Sequence, residues 1–151
     1  MPEHFPILLV EDSEDDLFLF RRLLTKAEIT HPLQVATNGQ AAIDQLSAIV
    51  AAGAVAAVPG IVFLDLKLPL RSGFEVLQWI SEQPLLKRTI VLVLSSSAES
   101  RDVKRAYELG AQGYLVKYPG PAVFRDIVRT VTNLPPDADL KGLSFPGLTK
   151  P

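Results

Sequence analysis

The chain contains no cysteine. That absence removes disulfides, thiolate nucleophiles and cysteine-based metal sites together, and it fits a reducing compartment. Long apolar runs are also missing: the longest, Ala48 to Val58, is broken by Gly53 and stopped by Pro59-Gly60, too short to span a bilayer. The opening residues Met1-Pro2-Glu3-His4-Phe5-Pro6 lack both the basic start and the apolar core of a secretory signal. Net charge is −2 with Lys and Arg scattered, so the basic footprint of a nucleic-acid binder is absent. These absences predict a cytoplasmic chain that engages neither membrane nor nucleic acid. Aromatic residues make up only 7% against 48% hydrophobic residues overall, dominated by Val, Ile, Leu and Ala. Such a composition fits a parallel sheet covered on both faces, and 151 residues fit one domain.

Short apolar runs alternate with helical patterns five times. Strands are expected at Phe5–Val10, Leu33–Thr37, Gly60–Leu64, Thr89–Leu94 and Gly113–Lys117, each rich in Val, Ile or Leu and bounded by turn or polar residues. The first helix should start after Ser13, with Glu14, Asp15 and Asp16 in its first turn, where negative charge suits the helix dipole. The second follows Asn38-Gly39, and the third starts near Ser72 and ends before Pro84. The fourth runs from about Glu99 to Leu109 and stops at Gly110; the fifth spans Pro121 to Thr132. Strand–helix alternation of this kind predicts right-handed crossovers and an α/β fold with a five-stranded, parallel, doubly wound sheet. Beyond Leu134 the pattern stops, and the Pro- and Gly-containing stretch to Pro151 reads as an extended tail.

In an open α/β sheet, ligands bind outside the carboxyl ends of the strands. Glu11, Asp12, Asp65, Ser95 and Lys117 are the residues delivered there. Carboxylates gathered so closely repel one another, and a hard divalent ion with oxygen ligands offsets that repulsion; Mg2+ suits few carboxylates, several waters and a phosphate oxygen. Lys117 adds a fixed positive charge. Carboxylates, a metal and a lysine are what phosphoryl transfer to an aspartate needs, with Asp65 as the nucleophile and Ser95 offering a hydroxyl to a phosphoryl oxygen.

The ordered set Glu11-Asp12, Asp65 with Pro69 and Gly73 behind it, then Ser95, Tyr114 and Lys117, resembles the receiver domain of bacterial two-component response regulators (CheY-like) over roughly residues 5–133. The resemblance implies a flavodoxin-like strand order of 2-1-3-4-5. It implies Asp65 as phosphoacceptor, Glu11 and Asp12 as the acidic pair holding Mg2+, and the backbone carbonyl of Lys67 as a further ligand. It also implies Ser95 and Tyr114 as the switch hydroxyl and aromatic, and Lys117 as the partner of the phosphoaspartate. One departure stands out: Tyr118 separates Lys117 from Pro119, so the family's usual cis lysine–proline bond has no counterpart, and Tyr118-Pro119 is the X-Pro bond whose isomer the sequence leaves open. A second is the long Ala48–Pro59 connection. With residues 134–151 read as a tail and no output domain, the chain resembles single-domain regulators that work with phytochrome-type kinases.

The expected function is therefore a phosphorylation-controlled switch: a histidine kinase donates to Asp65, and the surface of helix four, strand five and helix five changes its affinity for a downstream protein or a second copy. Activity of its own would be limited to self-phosphorylation and autodephosphorylation. A receiver-like interaction module that is never phosphorylated is the alternative. An aspartyl-phosphate phosphatase is the less favoured enzyme reading, because Asp65-Leu66-Lys67 carries a lysine where a general acid would be needed.

Overall fold

The computed structural model describes residues 4–141, 143–145 and 147–151, so Met1–Glu3 of the expected leaderless start and Gly142 and Pro146 of the expected tail lie outside the described residues. Five strands, β1 (Ile7–Val10), β2 (Leu33–Ala36), β3 (Ile61–Leu64), β4 (Ile90–Ser95) and β5 (Gly113–Val116), alternate with helices α1 (Glu14–Lys26), α2 (Gly39–Ala52), α3 (Gly73–Ser81), α4 (Ser100–Glu108) and α5 (Pro121–Thr132). All strand pairs are parallel and the order is β2-β1-β3-β4-β5, the flavodoxin-like arrangement. The register aligns Ile7 with Ile61 and Ile61 with Ile90, so β1 and β3 end side by side and β4 runs two residues further, to Ser95.

Residue-by-residue alternation along each strand divides the core in two. Leu8, Val10, Val62, Leu64, Val91, Val93 and Tyr114 face the α2–α3–α4 side. Ile7, Leu9, Ile61, Phe63, Leu92, Leu94 and Leu115 face α1 and α5. The few aromatics concentrate on the second side: Phe20 of α1, Phe63 of β3 and Phe124 of α5 meet edge-on, with ring centroids 5.1 to 5.6 Å apart. This geometry favours aromatic pairs beyond simple burial.

The helix starts follow the sequence signals. The side chains of Ser13, Asn38 and Ser72 accept the backbone N–H of Asp16, Ala41 and Glu75, capping α1, α2 and α3. Past α4, Gly110 takes φ +104°, a conformation that favours glycine. The long connection after α2 resolves into an αL cap at Gly53 and one 3-10 turn over Val55–Ala57. Strand bounds differ from expectation by one or two residues, as with β1, which starts after Pro6 because proline has no N–H to enter a ladder.

Residues 134–151 form no helix or strand among the described residues, yet they pack against the domain. Phe145 is buried, and Leu134, Leu140, Leu143 and Leu148 lie against the α1–α5 side of the core. The Arg88 guanidinium donates to the carbonyls of Ala138 at 2.6 Å and Pro135 at 3.1 Å.

Phe124 is fully buried between two aromatic rings. Phe124→Ala is expected to lower unfolding free energy by about 3–5 kcal/mol, the usual cost of emptying such a site, as measured by urea denaturation.

Candidate functional site

The carboxyl ends of β1, β3 and β5 bring their polar residues to one point. Glu11 follows β1, Asp65 follows β3, and Lys117 follows β5. The register of the parallel ladders fixes this convergence, since Asp65 N–H donates to the carbonyl of Val10 and Lys117 N–H to that of Ser95. Glu11 and Asp65 are both buried, whereas Asp12 is exposed.

The Lys117 ammonium, with a side chain only 9% exposed, is the centre of the site. It donates to Glu11 Oε1 at 2.5 Å, Asp65 Oδ2 at 3.2 Å and Asp16 Oδ2 at 3.2 Å. Burial works against the charge on this lysine, but the bond to Glu11 and the fields of Asp65 and Glu11 outweigh it and hold Lys117 protonated more firmly than a free lysine. Burial pushes the Glu11 carboxyl up despite its bonds to Lys117 and to the Ser13 N–H. The second oxygen of Asp65, Oδ1, accepts the backbone N–H of Lys67 at 3.3 Å, and the Lys67 side chain is exposed.

Gly73 holds the loop behind Asp65 close. Its N–H donates to the Leu66 carbonyl, and a Cβ there would run into the main chain of Asp65 and Leu66. The far end of the loop is tied to α2, where the Gly39 N–H donates to the Pro69 carbonyl.

Can these residues hold a divalent ion? Carboxylate oxygens of Glu11, Asp12 and Asp65 all lie within 4.8 Å of one another. Three hard oxygen donors so grouped, two of them buried, match the chemistry of Mg2+ or Mn2+ and not that of a soft metal. The donor set fits.

Ser95 ends β4 with its side chain fully buried, unlike its neighbours Ser96 and Ser97. Ser95 Oγ accepts the Ser97 N–H at 3.2 Å. Ser97 then makes two further links: its hydroxyl donates to Asp102 Oδ2 of α4 at 2.8 Å, and its carbonyl accepts the Tyr114 hydroxyl at 2.8 Å. The Tyr114 ring is fully buried, and burial raises its hydroxyl pKa.

Three residues of this neighbourhood were not singled out by the sequence reading. Asp16, expected only to serve the helix dipole, reaches Lys117 one turn into α1. Tyr118, expected only as an interruption, donates its hydroxyl to Asp16 Oδ1 at 2.6 Å. Burial raises the Asp16 carboxyl, but Tyr118 and Lys117 more than reverse this and hold it below the usual range. Ser97, beside the favoured Ser95, is the link to Tyr114 and α4. The expectation that the cis bond after this lysine has no counterpart is corrected: Lys117-Tyr118 is cis, and Tyr118-Pro119, whose isomer the sequence leaves open, is trans. The cis position after that lysine is therefore retained although proline is not.

Comparison with known proteins agrees with this geometry. The model of the response regulator receiver domain matches residues 7–129. Response regulator Rcp1 of Synechocystis sp. is 40% identical over 113 residues, covering 74% of this chain and 75% of Rcp1. The structure of the bacteriophytochrome response regulator AtBRR superposes with a TM-score of 0.70 at 37% identity, covering 86% of this chain and 94% of that one. The phosphorylated cyanobacterial phytochrome response regulator RcpA gives 0.67 at 31% identity over 85% and 91%. The Mn2+-bound form of Rcp1 gives 0.67 at 34% identity over 94% and 99%.

Tyr118→Phe removes one short bond to a charged oxygen while Asp16 keeps Lys117. The loss in unfolding free energy is expected near about 1.5 kcal/mol, the low end for bonds to charged groups, by chemical denaturation at neutral pH.

Proposed function

The chain belongs to the family of response regulator receiver domains, and from this premise we propose that it is a phosphoacceptor switch with Asp65 as the residue modified. The observation that carries the reading is the Lys117 ammonium held 3.2 Å from Asp65 Oδ2 and bonded to Glu11, in the same pocket as the carboxylate of Asp12. Residues 5–133 form the receiver, and residues 134–151 are an appended segment.

Glu11, Asp12 and Asp65, with the main-chain carbonyl of Lys67, would hold Mg2+. When bound, the ion neutralises charge on the carboxylates and on the incoming phosphoryl oxygens. Asp65 acts as nucleophile: one carboxylate oxygen bonds to the phosphorus of a phosphohistidine, the donor's P–N bond breaks, and the electron pair leaves with the imidazole nitrogen. Lys117 turns from the free carboxylate to a phosphoryl oxygen, and the Ser95 hydroxyl donates to another.

The readout follows from what Ser95 touches. Turning its hydroxyl toward the phosphoryl group alters its contact with the Ser97 N–H, and Ser97 in turn holds Asp102 of α4 and the hydroxyl of Tyr114. The added charge is thereby converted into a shift of the α4–β5–α5 face, where a downstream protein or a second copy binds. The donor is a histidine kinase. The similar structures of AtBRR and RcpA, named for a bacteriophytochrome and a cyanobacterial phytochrome system, support a phytochrome-type kinase. Turnover chemistry is disfavoured because Lys67 stands two residues after Asp65, where a phosphatase would need an acid.

Incubation with a small acyl phosphate and Mg2+ should add the mass of one phosphoryl group to the wild type and none to Asp65→Asn, read by intact-mass spectrometry. Equal addition to both would remove Asp65 from the role. Asp12→Asn should weaken Mn2+ binding in calorimetry by roughly tenfold or more, since even outer-shell changes cost that much.

A further inference from the structure

β5 is an edge strand, with β4 on one side only. An open edge exposes main-chain donors and acceptors to pairing by another chain. In this molecule the C-terminal segment crosses that edge. The Thr149 N–H donates to the Tyr114 carbonyl at 2.7 Å, and the Thr149 carbonyl accepts the Tyr107 hydroxyl of α4 at 2.8 Å. Leu148 packs on Gly113, where a Cβ would collide with it. Gly147 sits on Val123 of α5 with φ +78°, and a Cβ there would stand 3.0 Å from Val123 Cγ1. Phe145 anchors the approach in the α1–α5 side of the core. Residues 147–149 thus run from α5, over β5, to α4.

We propose that residues 147–149 are a strap that occupies the β5 edge in cis and shields the α4–β5–α5 face from a second copy of this chain. The assignment of that face to self-association rests on the switch reading above; the seating of the strap does not. Two features make the strap a regulated cover. Its hydrogen bonds are few, so it detaches at lower cost than the core it lies on. Its seat also includes both the main chain of Tyr114, whose hydroxyl bonds Ser97, and Tyr107 of the helix that Ser97 holds through Asp102. Displacement of α4 or Tyr114 removes the partners of Thr149, and the β5 edge becomes available to a second molecule.

The test uses the full chain without phosphate, metal or beryllofluoride, so that it stands apart from phosphorylation of Asp65. In the wild type the Thr149 amide should exchange with deuterium on the order of 100-fold more slowly than an unstructured amide, as expected of a locally closed segment. Gly147→Val, which needs an unfavourable φ and crowds Val123, should abolish that protection. Amides of β3 and β4 should keep theirs, and the dimer fraction in sedimentation equilibrium should rise at fixed concentration. Should Gly147→Val also expose β3 and β4, Tyr107→Phe is the variant to read; loss of one bond to Thr149 should speed its exchange several-fold and raise dimerisation in proportion. A Thr149 amide that exchanges freely in the wild type overturns the strap. Faster Thr149 exchange with no change in self-association overturns the shielding role. If Thr149 is protected yet Asp65 accepts no phosphoryl group, the switch reading fails while the strap stands.

Discussion

One lysine holds the functional end of this molecule together. Glu11, Asp16 and Asp65 come from the end of β1, the first turn of α1 and the end of β3, and the Lys117 ammonium after β5 is the hydrogen-bond donor common to all three. Two of those carboxylates are buried, and carboxylates gathered there without a counter-charge would destabilise the fold by mutual repulsion and lost hydration. One ammonium balances three acids incompletely, which leaves negative charge in the pocket. The switch proposed above would draw on this same contact.

The tie works because the sheet is parallel and both its faces are dry. With β1 and β3 in register, Glu11 and Asp65 just past them must emerge side by side, and both strands are wholly apolar and buried, so nothing in them competes for position. The aromatic cluster of Phe20, Phe63 and Phe124 stiffens the α1–α5 side. The opposite side carries Tyr114, whose polar end must find an acceptor when buried and finds it in the Ser97 carbonyl. One face is packed with aromatic rings, and the other carries a buried hydroxyl tied to a loop carbonyl.

This division explains what could be read in advance. Five apolar runs, three capping residues and the order of polar residues after the strands are local features, and they placed the elements, Asp65, Glu11, Asp12, Ser95 and Lys117 at one end of the sheet. Asp16 and Tyr118 were missed because their bond spans 102 positions and neither has a local signature; an acid in a first turn reads as dipole chemistry, and a tyrosine after the lysine reads as an interruption. The C-terminal segment read as a plain tail because Pro and Gly dominate its pattern. Its five large apolar residues, Leu134, Leu140, Leu143, Phe145 and Leu148, obey neither a helical nor a strand period. Their number was the available clue, since a solvated tail gains nothing from them.

How a change at Asp65 could reach a surface is a matter of how α4 begins. α1, α2 and α3 each start at a side chain that caps its own helix, so their first turns are fixed locally. α4 starts at Glu99, whose side chain caps nothing. Its first turn is held from outside, by the Ser97 hydroxyl that accepts the Glu99 N–H at 3.3 Å and donates to Asp102. Ser97 is itself fixed through the hydroxyl of Ser95 at the end of β4. A helix without its own cap frays or shifts at lower cost than a capped one. The far end of α4 then carries Tyr107 to the main chain of Thr149, so a path of hydrogen bonds and one helix joins Ser95 to the edge of the sheet.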